Sequence, residues 1–170
     1  RSQLETGVDT VSRLNNGLTE ASDLLEMAAE EGDESTIVAV EADLGRFEDQ
    51  SFELVVDNHV FHCILPPDRA TFLKEAIRVL KPGGLFCSFT YAADHPGREH
   101  GKEVAPNTYS HFEKGAFKER GLAHFFDIKE LFKMYGIFTL EHVLKLDLRE
   151  VYDKKNPFME WTEYIILARK

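Results

Sequence analysis

Residues 78–91, RVLKPGGLFCSFTY, decide how the chain is read, because they set a helix stop directly against an apolar strand. Lys81 complements the negative end of a helix dipole, and Pro82, lacking a backbone N–H, cannot continue the helix. Gly83 and Gly84 then turn the chain into LFCSFTY (85–91), which is apolar and β-prone. A helix that hands over at once to a buried strand is the repeating unit of an α/β protein.

The pattern extends both ways. Pro66-Pro67-Asp68 opens that helix, since proline is tolerated where first-turn amides have no partner anyway. Phe72, Leu73, Ala76, Ile77 and Leu80 form its apolar face. Before it, SFELVVDN (51–58) and STIVAVEAD (35–43) read as buried strands separated by the polar turn GRFEDQ. Leu18, Ala21, Leu24, Leu25 and Ala28 mark a helix ended by Gly32, and SQLETGVD (2–9) reads as the tail of a strand. Downstream, residues 92–126 are polar and mixed, and are expected to form a long loop or lid. Asp127 and Glu130 have the spacing of a capping box for a helix that stops near Gly136. IFTLEHVLKLDL (137–148) and TEYIILAR (162–169) close the chain as two strands with no helix between them, a pair suited to antiparallel pairing. The expectation is a single α/β domain over 1–170: a Rossmann-like open sheet, mostly parallel with an antiparallel last strand and flanked by helices. Ligands of such sheets bind outside the carboxyl ends of the strands.

The bulk numbers agree. A chain of 170 residues with 43% hydrophobic and 29% charged residues suits one globular domain. No apolar run approaches the roughly 20 residues that span a bilayer, so no membrane partner is expected. Cys63 and Cys87 are too few for a disulfide framework and read as reduced, buried thiols of a cytoplasmic protein. The net charge of −10, with 15 acidic and 3 basic side chains in residues 1–65, disfavours a nucleic-acid partner, which would require clustered Lys and Arg.

The chemistry concentrates in LVVDNHVFHC (54–63). His59, His62 and Cys63 invite a metal reading. In an extended segment, however, residues three apart point to opposite faces, and no second His or Cys element supplies the remaining ligands. No metal is expected. A histidine near a strand end is suited to moving a proton or orienting a substrate. Cys63 reads as core.

Taken in order, strand–GVD, helix, strand–EADL, SFELVVDNHVFH, helix, VLKPGG and strand resemble the class I S-adenosylmethionine-dependent methyltransferases, in their small-molecule, type-11-like branch. The resemblance runs from about residue 5 to 91, and more loosely to 169. It implies a seven-stranded sheet with an antiparallel final strand, S-adenosylmethionine as cofactor with S-adenosylhomocysteine as product, and a small-molecule acceptor. By position, Asp9 would hold the ribose hydroxyls, Asp43 the adenine amine, and Leu44 the ring. Asp57 and Asn58 would hold the methionine end, and His59 and His62 would face the transfer site. The family's glycine-rich turn after its first strand is absent, so a strand, turn and helix are expected upstream of Arg1. TVSRLNNGLTE, after Asp9, is longer than the family's usual turn.

In the 92–126 segment, Tyr109, His111 and Phe112 are candidates to line a substrate pocket. Lys114, Lys118 and Arg120 read as a solvated face, and Trp161 as a packing residue at an edge. A non-catalytic binding module and a nicotinamide-dependent oxidoreductase are the alternatives. VLKPGG and the terminal strand pair speak against the second.

Overall fold

A computed structural model describes residues 37–39 by their backbone, and 44–118, 121–149 and 160–170 in full. The strand expected at 2–9, the helix at 18–28, Asp9 and Asp43 lie outside these residues.

Five of the described strands form one sheet: β1 (Ile37–Ala39), β2 (Phe52–Asn58), β3 (Leu80–Tyr91), β7 (Thr139–Arg149) and β8 (Glu160–Arg169), in the order β1-β2-β3-β8-β7. β1 pairs with β2 and β2 with β3 in parallel, and β8 is antiparallel to both its neighbours. β7 therefore runs in the direction of β3, and β8 alone is reversed. The mostly parallel sheet with an antiparallel last strand is thus present over the described residues. β2 and β3 are joined by helix α1 (Pro66–Val79), as a parallel return requires.

Helix α1 buries Phe72, Leu73, Ala76 and Val79 against Val55, Phe86, Ile166 and Ala168 of the sheet. The second helix, α2 (Ile128–Tyr135), adds Leu131 and Tyr135 to the same core. Its start is capped as the sequence suggests, with the Asp127 carboxylate accepting from the Lys129 amide at 2.8 Å. Leu54, Leu85, Cys87 and Leu167 point to the opposite face of the sheet, as a period of two demands.

The helix-to-strand junction is tighter than the sequence suggests. Leu80 is already extended, with φ −68° and ψ 137°, so β3 starts at residue 80 rather than 85. The extra residues are absorbed by an irregularity in pairing between Phe52 and Leu54. Gly83 takes a left-handed φ of +77°, and a Cβ on Gly84 would lie 2.9 Å from the Lys81 carbonyl oxygen. Here the two glycines serve close backbone passage.

The 92–126 segment, expected as a long loop or lid, carries regular structure over its described residues. It holds a 3-10 turn (Pro96–His100) and a three-stranded antiparallel sheet of β4 (Lys102–Ala105), β5 (Thr108–Ser110) and β6 (Ala123–His124). Phe112, Phe117, Ala123 and Phe125 give it an aromatic core shared with Tyr91. The His124 ring joins Thr108 (2.7 Å) to Glu130 of α2 (3.0 Å), and Arg69 of α1 lies 3.6 Å from the same carboxylate. This relay ties the small sheet to both helices. No helix among the described residues is long and apolar enough to cross a membrane.

Candidate active site

The candidate site lies where β2 and β3 end. β2 delivers Asp57 and Asn58, and the chain then turns sharply through His59, whose φ of +62° is left-handed. Such a conformation is unfavourable for any residue with a Cβ and is commonly retained at functional sites. A 3-10 turn over Phe61–Cys63 follows.

Asp57 holds this turn. Its buried carboxylate accepts from the Val60 amide (2.9 Å) and the Phe61 amide (3.0 Å) through one oxygen, and from Ser88 Oγ (2.6 Å) through the other. Ser88 in turn lies 2.8 Å from the Tyr135 hydroxyl. Burial pushes the Asp57 carboxyl above the ordinary carboxylate range, and the three hydrogen bonds offset this only partly. Burial likewise raises Tyr135 well above its usual value and pushes Cys87 up to about 11. The Asp57 side chain is thus engaged inside the protein. At this strand end it is the exposed Asn58 that faces outward.

The 3-10 turn also brings the two histidines together, which an extended chain would keep apart. The His59 and His62 rings lie 5.7 Å apart, and both pack on Tyr91, at 4.9 Å and 4.2 Å respectively. They differ in access: the His59 side chain keeps 24% exposure, whereas His62 is 3% exposed. His59 Nε2 stands 3.3 Å from Glu163 Oε2, and the Trp161 indole N–H donates to that same oxygen at 2.9 Å. The partner strand of β3 places Glu163 here, since Tyr91 pairs with Glu163.

A third histidine completes the cluster. His95 is buried against Tyr91, Phe117 and Trp161, with ring centroids 5.2, 5.0 and 5.0 Å away. Its Nδ1 accepts from the Gly97 amide at 2.9 Å, and burial pushes its pKa down to about 4. It is therefore neutral at physiological pH, with its proton on Nε2.

Other expected residues are scattered. Leu44 is core, and it also lines a cleft of about 500 Å³ with Ile64, Thr71 and Phe72. Phe112 and Tyr109 build the aromatic core that backs Tyr91 and Trp161. His111 is exposed, lies 2.7 Å from Ser110 Oγ, and lines a separate cleft with His100, Lys102 and Lys114. Cys63 is a correction: it is exposed rather than core, because the 3-10 turn rotates it away from the sheet while Cys87 stays buried. Tyr91, His95 and Glu163 went unnoticed as site residues in the sequence. Tyr91 at the end of an apolar strand was the available signal, whereas Glu163 becomes visible only through strand register. Among the described residues no three His, Cys, Asp or Glu side chains converge as a metal site.

Comparison with known proteins places this geometry. Residues 16–88 match the methyltransferase domain family of type 11. A S-adenosylmethionine-dependent methyltransferase of Methanosarcina mazei superposes with a TM-score of 0.56 at 22% identity, over 74% of this chain and 62% of that one. The Burkholderia thailandensis 1,6-didemethyltoxoflavin-N1-methyltransferase, solved with 1,6-didemethyltoxoflavin and S-adenosylhomocysteine bound, superposes with a TM-score of 0.54 at 18% identity, over 95% and 85%. A stretch of 48 residues is 48% identical to peptide chain release factor 2 of Burkholderia pseudomallei, 28% of this chain and 13% of that protein. The chain thus spans a small part of that curated relative and less than two thirds of the Methanosarcina protein. Residues 16–88 thus resemble a methyltransferase domain, and the superpositions show that the chain shares the α/β fold of these methyltransferases.

Proposed function

We propose that the protein transfers a methyl group from S-adenosylmethionine to a small-molecule acceptor at the site beyond the ends of β2 and β3. The observation that carries this reading is the match of residues 16–88 to a methyltransferase domain, because the matched segment includes the end of β2 and the turn after it and runs into β3. The Burkholderia neighbour, with S-adenosylhomocysteine bound, supports the choice of cofactor.

The described residues fit such a group. Leu44, Ile64 and Phe72 offer an apolar wall in the 500 Å³ cleft, with Asp68, Thr71 and Glu75 as polar neighbours, a lining suited to a planar base and a sugar. Asn58, exposed at the strand end, is placed to hold a polar end group, and Asp57 acts by shaping the turn. Asp9 and Asp43 are the proposed ribose and adenine ligands. When bound, the sulfonium supplies an already activated methyl group, so the protein's work is alignment and exclusion of water. His59 stands at the rim, and His62 and His95 lie behind it as packing for Tyr91. Tyr109 and Phe112 support the acceptor side from the small sheet, with His111 at its outer edge.

Calorimetry of the full-length protein with S-adenosylhomocysteine tests the reading, with NAD as the control. Saturable binding of the first and none of the second is expected, and Asp9→Ala and Asp43→Ala should each weaken it about tenfold or more. Absence of binding would remove the proposal.

A further inference from the structure

The His59–Glu163 contact supports a role that the strand-end histidines do not explain by themselves. We propose that Glu163 touches the acceptor and receives its O–H or N–H proton, while His59 and Trp161 are positioning residues that hold the carboxylate for this task. The proposal rests on the methyl-transfer reading and deepens it by naming the chemical class of the acceptor: a hydroxyl or amino compound that gives up a proton on methylation.

The two oxygens of Glu163 are treated differently. Oε2 receives both the Trp161 indole N–H (2.9 Å) and His59 Nε2 (3.3 Å). No described residue bonds Oε1. Glu163 as a residue is only 7% exposed. A carboxylate that far inside an aromatic wall is normally satisfied on both oxygens. Here one oxygen is fixed twice and the other is presented. Tyr91 stacks on His59 at 4.9 Å and meets Trp161 at 5.0 Å, so the carboxylate stands against an aromatic wall. His59 itself is held in a left-handed backbone conformation to make the contact.

Among the described residues the titratable groups near Glu163 are few. The turn after β2 brings His59 and His62, β3 brings Tyr91, and the segment after it brings His95. The register partner on β7 is the uncharged Leu146. His59 is the one in contact, its Nε2 standing against the carboxylate oxygen.

The step balances in atoms and charge. The acceptor atom forms a bond to the carbon that leaves the sulfonium, its own O–H or N–H bond breaks, and the proton ends on Oε1. The positive charge on sulfur and the negative charge on Glu163 are lost together. A carboxylate suffices as base because the acceptor's proton becomes strongly acidic as the new bond forms.

The first test needs no acceptor. The His59 ring is titrated by NMR in wild type and in Glu163→Gln, which keeps an oxygen for Trp161 but loses the charge. The His59 pKa should fall by about one unit or more, and Glu163→Asp should restore part of it. An unchanged pKa overturns the pairing. In a second arm, radiolabelled S-adenosylmethionine is offered with a set of simple phenols and, separately, aromatic amines. Wild type should label at least one set. Glu163→Gln should lower kcat about 100-fold and lose the acid limb of the rate–pH profile, with S-adenosylhomocysteine affinity unchanged. No label in either set, or equal rates for the variant, overturns the proposal. Failure of wild type to bind S-adenosylhomocysteine would instead remove the methyl-transfer reading and leave the His59 titration to stand.

Discussion

Asp57 is the residue at which the fold and the proposed site make their sharpest joint claim. Removing its carboxylate in Asp57→Ala strands the amide of Phe61, which is buried, and that of Val60, which is partly so. Ser88 also loses its acceptor but can turn to Tyr135, 2.8 Å away. A lost hydrogen bond to a charged acceptor costs roughly 1.5–3 kcal/mol, so two stranded amides predict a loss of about 3–6 kcal/mol. With a urea m-value of about 2 kcal/mol/M, the unfolding midpoint should drop by about 2 M. Asp57→Asn should cost about 1 kcal/mol, because its amide oxygen still serves both backbone N–H groups and its NH₂ donates to Ser88.

The pH dependence separates this account from a generic packing defect. Burial raises the Asp57 pKa in the folded state above the ordinary value of 3.8, so the native protein holds the proton more tightly than the unfolded chain. The resulting stability is fully present below the unfolded pKa and is lost as pH rises through the folded one. Asp57→Asn has no proton to lose. Its deficit against wild type should therefore be largest near pH 4 and shrink towards pH 8. Urea unfolding at four or five pH values, followed by circular dichroism, measures the gap. A gap that widens with pH, or an Asp57→Asn loss equal to that of Asp57→Ala, would refute the assignment of a buried, proton-favouring carboxyl.

Two further outcomes are accessible with little effort. Of the two thiols, Cys63 is exposed and Cys87 is buried with its pKa pushed up to about 11; native protein should react with one equivalent of a thiol reagent in seconds to minutes, and with the second only on unfolding. At the helix-to-strand junction, Gly84→Ala forces a Cβ to 2.9 Å from Lys81 O and 3.1 Å from Glu53 O, both backbone atoms, and should cost about 2–3 kcal/mol. Gly83→Ala meets nothing within 4 Å and should cost only the roughly 1–2 kcal/mol of a left-handed φ, so thermal melts should rank the two clearly.

The architecture was readable because its signals are local. Helix stops at Lys81-Pro82 and Gly136, a cap at Asp127 and apolar runs at 52–58 and 85–91 each act within a few residues, and the structure places elements at all of them. The strands of 92–126 were not readable for the same reason. β4, β5 and β6 are two to four residues long, too short for a period of two to rise above noise. They hold together through aromatic contacts such as Phe112 with Phe117 at 5.1 Å, which no spacing rule encodes.

The site divides along the same line. LVVDNHVFHC already pointed to a strand end carrying polar groups, and that placement holds for Asp57, Asn58, His59 and His62. What sequence order could not assign is which atoms face inward. Asp57 turns in because the amides of Val60 and Phe61 need an acceptor at a turn with φ +62°. His62 turns in because the 3-10 turn lays it on Tyr91, while the same turn leaves His59 at the rim. Glu163 lies about a hundred residues away in the chain and reaches the site only because β8 runs antiparallel beside β3, opposite Tyr91. A single-residue slip of that register would send Glu163 to the other face of the sheet and leave His59 without its carboxylate. The identity of the proton acceptor thus depends on the reversed last strand, which makes that strand part of the proposed chemistry as well as of the fold.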